Sequence, residues 1–362
     1  MTNLDDLDIN IITNMASGTG IGSYALEVYR VLHKDFPKVK LISVPYIKGR
    51  ELNNSMNLSK FYANSFLQIP FANRMNFYLI KKSKQFEGKN IHLVGSDYSM
   101  MSVSDNVVTT IHEYYFTMAN LFRSRNMRGF LSEVGYNCGE LELRWEMKKF
   151  KKIIAPSHYT ANQIKANFGI NSEVVHETVD ESRFHPRDRD KSRELLNLPK
   201  DKKLLLNVSG EGINKNLRVL KGISDILPDR FKLLKIGAPI NSKNAVNIHH
   251  AADEYYPLYF NAADMYLNVS TNEGFNIPLL ESLKSSLPVV SNKCATSVEL
   301  LGGSAFYVDN PSDKGKYIEL VKFANDREVL KHNSELTSKR ASEFSDDKAK
   351  REFVKIYSEV FK

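Results

Sequence analysis

Residues 264–291 read DMYLNVSTNEGFNIPLLESLKSSLPVVS. The run MYLNV at 265–269 is apolar and rich in β-formers, as a strand buried on both faces is. The polar stretch STNEG follows. A helix is expected from about Asn276, with Pro278 in its first turn, where the missing N–H costs nothing. The helix gives way to a second strand, PVVS at 288–291. Strand, loop, helix and strand in this order make a βαβ unit, and such units build parallel sheets.

The loop and first helical turns carry two carboxylates, Glu273 and Glu281. Gly274 leads into backbone N–H groups at Phe275, Asn276, Ile277 and Leu279, which are expected at a helix N-terminus just outside a strand's carboxyl end. In open α/β sheets that place takes phosphate-bearing ligands. Glu281, one turn inside the helix, suits ribose hydroxyls, and Glu273, in the loop, suits a sugar. Two isolated glutamates at this spacing would read as surface charge; the flanking strand-loop-helix-strand pattern favours a site.

The same alternation runs outward along the chain. Apolar runs at 9–13, 40–45, 91–95, 107–111, 152–155, 173–176, 203–208 and 232–236 read as strands. Helical spacing separates many of them. Ile21, Tyr24, Ala25, Val28, Val31 and Leu32 share one helix face, as do Ala349, Phe353, Ile356, Tyr357 and Val360. The strands are too many for one open sheet of ordinary size, so two doubly wound Rossmann-like α/β domains are expected. A polar, charged, proline-punctuated stretch near 180–200 marks the break, giving domains 1–185 and 186–345.

The chain has 362 residues, 42% hydrophobic and 25% charged, an ordinary globular balance. No apolar run is long enough to span a membrane, and the N-terminus MTNLDDLDIN lacks a signal-peptide pattern. Two lone cysteines, Cys138 and Cys294, make neither a disulfide framework nor a zinc site. A cytoplasmic protein is expected. The net charge of +8 suits polyanions, whether nucleic acid, anionic lipid or phosphorylated ligands. No zinc-finger spacing or RNP-like aromatic motif supports nucleic acid.

Four further segments bear on chemistry. GTGIGSY at 18–24, with Gly20 and Gly22, follows the first strand and opens a helix, a turn suited to close backbone approach. It is not G-x-G-x-x-G and no acidic residue closes the second strand, which disfavours NAD. His112, followed by Glu113, ends the strand at 107–111, where α/β sites collect their chemistry. NVSGEGINKNLR at 207–218 joins a strand to a helix and offers Gly210, Lys215 and Arg218. Gly237 closes KLLKIG. Two D-x-D triplets, Asp6 to Asp8 and Asp188 to Asp190, lie in the N-terminal tail and the polar break, so both read as solvated charges and no metal is expected.

The segment E273-G-F-N-I-P-L-L-E281-S resembles the signature E-G-F-G-x-P-x-x-E-A of the retaining glycosyltransferases of family 4, and S286-L-P-V-V-S resembles its continuation. The resemblance covers nearly the whole chain and is strongest in 264–300. It implies the GT-B fold, with a nucleotide-sugar donor, retention of anomeric configuration, and neither metal nor cofactor. It also implies that helix 346–362 crosses back to the first domain. By the same resemblance Glu273 and His112 meet the donor sugar, Glu281 holds the ribose, Lys215 grips the diphosphate and Gly237 lies near the base. Asn276 replaces the family's usual glycine. The position of a diphosphate-binding arginine holds Gly210 or Glu211, and Arg218 is a candidate substitute.

Acceptor clues mix aromatics with cations at 61–84 and at 114–130, the latter with Arg123, Arg125 and Arg128. Arginines suit phosphate, and aromatics beside cations suit a membrane surface. A glycan or phosphate-linked lipid acceptor is therefore expected, reached by peripheral contact with an anionic membrane. A core with a solvated face reads the same residues equally well. Two alternatives stay open: a non-catalytic GT-B subunit that binds a protein or glycan partner, and a sugar phosphorylase or epimerase on the same fold.

Overall fold

A computed structural model describes residues 7–14, 19–45, 48–63, 69–95, 102–112, 144–249 and 251–361. The chain divides into two compact units, 1–178 with 346–362, and 179–345.

The first unit holds β1 (Asn10–Thr13), α1 (Gly20–His33), β2 (Lys40–Ser43), β3 (Met56–Asn57), α2 (Ile69–Ser83), β4 (Asn90–Gly95) and β5 (Asn106–Ile111). β6 (Lys152–Ala155), α3 (His158–Phe168) and β7 (Glu173–Val174) follow. The strands form one parallel sheet in the order β3-β2-β1-β4-β5-β6-β7. Neighbouring residues of β1 face opposite ways: Ile11 packs in one core cluster and Ile12 in another. Both faces are therefore apolar, which is why the strands read as continuous apolar runs. Ser157 caps α3 by accepting from the N–H of Thr160.

The second unit holds α4 (Arg189–Leu195), β8 (Lys203–Ser209), α5 (Leu217–Asp225), β9 (Phe231–Gly237), β10 (Ala245–Ile248), α6 (Tyr256–Ala262) and β11 (Met265–Asn268). α7 (Ile277–Lys284), β12 (Val289–Asn292), α8 (Ala295–Leu301), β13 (Ala305–Val308), α9 (Lys314–Val321) and α10 (Arg327–Ala341) complete it. Its sheet is parallel, in the order β10-β9-β8-β11-β12-β13. The last helix, α11 (Asp346–Val360), belongs to the first unit. Its Phe353, Ile356 and Tyr357 pack in one cluster with Tyr24, Val28 and Leu32 of α1.

The units meet at 178/179, within a few residues of the polar stretch expected to mark the break. Val179 and Phe184 are buried in the second unit's core, in one cluster with Phe260 and Leu280. Of the two D-x-D triplets, Asp188 is committed to architecture, since its carboxylate caps α4 at the N–H of Lys191, 2.8 Å away. Among the described residues no helix is long and apolar enough to cross a membrane.

Candidate functional site

In the second unit the strand order reverses between β8 and β11. Ligands of open parallel sheets bind outside the carboxyl ends of the strands at such a reversal. The loops leaving β8 and β11 are stitched to each other there. The N–H of Thr271 donates to the carbonyl of Asn214 (2.9 Å), and the Asn214 amide donates to the carbonyl of Asn272 (2.8 Å). This stitching sets Lys215 against Glu273. The Lys215 ammonium donates to both carboxylate oxygens, at 2.7 and 2.8 Å. Glu273 is buried and Lys215 is partly open to solvent. From α8, the Thr296 hydroxyl holds the carbonyl of Glu273 at 2.9 Å.

α7 opens on Asn276, whose backbone is left-handed, φ 83° and ψ 70°. That region favours glycine, and asparagine is among the few other residues that enter it readily. The residue is tied by its amide to the side-chain oxygen of Asn268, 3.4 Å away. The N–H of Leu279, expected free for a ligand, donates instead to the carbonyl of Asn276 at 3.0 Å. The side chains of Leu279 and Phe275 are buried in the unit's core. Glu281 is also buried, and the Tyr256 hydroxyl donates to its carboxylate at 2.8 Å. Burial and the Glu281 charge push the Tyr256 phenol well up, so it stays a donor.

Gly237 and Ser209 are register partners at the ends of β9 and β8. Gly237 has φ +93°, and a Cβ there would stand 2.6 Å from the carbonyl oxygen of Ser209. Only glycine fits that approach. A Cβ on Gly210 would meet nothing within 4 Å. Arg218 lies exposed on α5, in no ion pair among the described residues.

The first unit carries the other candidates. His112 follows β5 directly and is buried; its Nδ1 lies 3.1 Å from Oε1 of Glu177. Among the described residues, His112 Nε2 and Glu177 Oε2 are buried without hydrogen-bond partners. The Tyr24 ring meets the His112 ring edge-on at 4.3 Å. A buried polar chain continues from Tyr24 to Thr110, His92 and Tyr357, with links of 3.3, 2.7 and 2.7 Å. Burial, reinforced by His112, lowers the His92 pKa to about 3, so that ring stays neutral. Gly20 is the first residue of α1. In this turn, expected to allow close backbone approach, the N–H of Gly22 is taken by the Thr19 hydroxyl at 3.1 Å. Glu113, Arg123, Arg125 and Arg128 lie outside the described residues.

Sequence reasoning missed three partners: Glu177, Tyr256 and Lys235. Lys235 is wholly buried on β9. Its signal was present, a lysine inside the apolar run KLLKIG. Glu177 and Tyr256 left no local signal, because their partners lie 65 and 25 residues away.

No family model matches the chain. The sulfoquinovosyl transferase SQD2 of Arabidopsis thaliana is 26% identical over 200 residues, covering 49% of this chain and 36% of that protein. The match thus spans little more than a third of the relative's length. Among solved structures, sucrose-phosphate synthase from Thermosynechococcus elongatus superposes with a TM-score of 0.77 at 11% identity, covering 98% of this chain and 99% of that one. WaaG, a glycosyltransferase involved in lipopolysaccharide biosynthesis, gives 0.77 at 13% identity, covering 96% and 99%. HepE of Anabaena, in complex with UDP and glucose, gives 0.72 at 12%, covering 97% and 99%. With its two parallel sheets, this chain has the fold of the GT-B glycosyltransferases.

Proposed function

We propose that this chain is a glycosyltransferase that moves a hexose-type sugar from a UDP- or GDP-linked donor to a glycan or lipid-linked acceptor, with retention. The observation that carries the reading is the Lys215–Glu273 pair at the strand-order reversal of the second unit, with Glu281 buried on the adjoining helix. The names of similar proteins support it: a sulfoquinovosyl transferase, and HepE in complex with UDP and glucose.

In this reading the donor diphosphate competes with Glu273 for the Lys215 ammonium, and Lys215 takes up charge as the leaving group departs. Glu273, so released, turns to the sugar hydroxyls. Glu281, oriented by Tyr256, accepts from the ribose. Glu177 holds His112 so that Nε2 meets a sugar hydroxyl. Lys215 and the opening of α7 supply the positive charge that meets the leaving group.

Thermal stabilisation by UDP, GDP and ADP tests the donor site. At ~100 times its dissociation constant a ligand adds about 2.7 kcal/mol to stability. One nucleotide is expected to raise the melting temperature of wild type, and Glu281→Ala to abolish that shift. If none does, the second reading moves ahead. That reading is a non-catalytic subunit, and the observation in its favour is that Gly210 or Glu211 stands where the family has its diphosphate-binding arginine.

On the acceptor side, Arg123, Arg125 and Arg128 are assigned to a phosphate-bearing acceptor and to peripheral contact with an anionic, cytoplasmic membrane face. A variant with all three charges reversed should no longer sediment with anionic liposomes. Wild-type sedimentation of that variant would end the assignment.

A further inference from the structure

Lys235 lies two residues before the end of β9, and its side chain is completely buried. Its ammonium donates to the carbonyls of Ser209 (2.7 Å) and Ile236 (2.8 Å). The third N–H has no partner among the described residues, and no carboxylate there pairs with it. Two carbonyls satisfy hydrogen bonds but do not neutralise a charge, and a buried unpaired ion is costly.

The charged group that acts on it is Lys215, of the same sign. Burial, with Lys215 adding to it, brings the Lys235 pKa down to about 8. Beyond Lys215 stands Glu273, already engaged by that lysine. On the flanking strands its register partners are Asn207 and Asn247, which do not titrate. The Asn207 amide is committed to the carbonyl of Leu267, and Asn247 to the backbone of Ile240.

Place supplies a reason for the cost. Ser209 is the last residue of β8, and the turn through Gly210 and Gly212 runs from it to Lys215. One cation sits against the start of this turn and another at its end, with open space where a Gly210 side chain would be. Two like charges around a bare backbone turn suit an anion of more than one charge.

We propose that Lys235 is a positioning residue of the donor site, a second cation that acts on the nucleoside diphosphate from beneath the Ser209–Gly210 turn. This rests on the donor reading above. Its role is electrostatic, exerted through a water-poor strand end where charge is weakly screened.

Calorimetric titration of the full chain with UDP, GDP and ADP, and with the matching nucleosides, tests it in wild type and Lys235→Met. The variant should bind the diphosphate at least about tenfold more weakly, bind the nucleoside unchanged, and melt no lower than wild type. Unchanged diphosphate affinity overturns the proposal and leaves the donor reading standing. So does a lower melting temperature with equal losses for nucleoside and diphosphate, the mark of a structural tether. If wild type binds no nucleoside diphosphate, both fall. Should Lys235→Met not fold, wild type at pH 8.5 decides, in buffers of different ionisation heat. Diphosphate binding should then take up more than about half a proton, and no uptake overturns the proposal.

Discussion

Asp264 and Lys235 are both buried charges in the second unit, at different ends of its sheet. Asp264 immediately precedes β11, at the amino ends of the strands. Its carboxylate accepts from Arg193 (2.7 Å), Arg189 (3.0 Å), Lys203 (3.3 Å) and the N–H of Leu204 (2.7 Å). Lys235, near the carboxyl ends, has two carbonyls and a like-charged neighbour. The first charge is compensated within the fold and belongs to architecture: it fastens α4 to the sheet. Among the described residues the second has no counter-ion. In an open α/β sheet, function gathers at the carboxyl ends, and here uncompensated charge lies on that side.

Asp264→Ala leaves the buried Arg193 guanidinium without its anion, and losing one partner of a buried pair costs about 3–5 kcal/mol. Denaturant unfolding should show that loss, with nucleotide affinity unchanged in the folded fraction. A loss below about 1 kcal/mol would mean that Asp264 is not the anchor described.

The smaller effect has the opposite sign. Lys235→Met should stabilise the chain near neutral pH by about 1–3 kcal/mol, because it removes a buried charge with no counter-ion. The pH dependence follows from the direction of the shift, with a folded pKa of about 8 against 10.5 for the ordinary lysine. Below pH 8 both states carry the proton and the full cost of burying it stands. Between 8 and 10.5 the folded state gives up the proton and the unfolded state keeps it, so stability rises with pH. The advantage of Lys235→Met should therefore shrink between pH 7 and 9.5, measured by urea unfolding of both proteins. A constant advantage would mean that Lys235 does not titrate in that window.

In the second unit, strand-helix alternation marks the central strands. β8, β9, β11 and β12 carry mostly apolar runs because their two faces pack into separate core clusters. The edge strands β10 (AVNI) and β13 (AFYV) lie outside the runs expected from the sequence: both are incompletely buried, and Asn247 interrupts the apolar run of β10. Within the site, Glu273 and Glu281 were legible from one local pattern, and Lys215 from its loop. The engagement of the Leu279 and Gly22 N–H groups by Asn276 and Thr19 was not, since it depends on how each helix begins in space.

Local sequence alone settles the α/β class, the two-unit plan and the placing of two carboxylates, Glu273 and Glu281, around the start of α7. Each depends on residues close together in the chain, where periodicity and turn chemistry act directly. Tertiary structure alone decided that Glu273 holds Lys215, that Glu177 holds His112, and that Asp264 is compensated where Lys235 is not. The physical reason is that Coulomb interaction and desolvation act through space. Whether a buried charge finds its counter-ion is settled only when distant strands and loops have been brought to one end of the sheet.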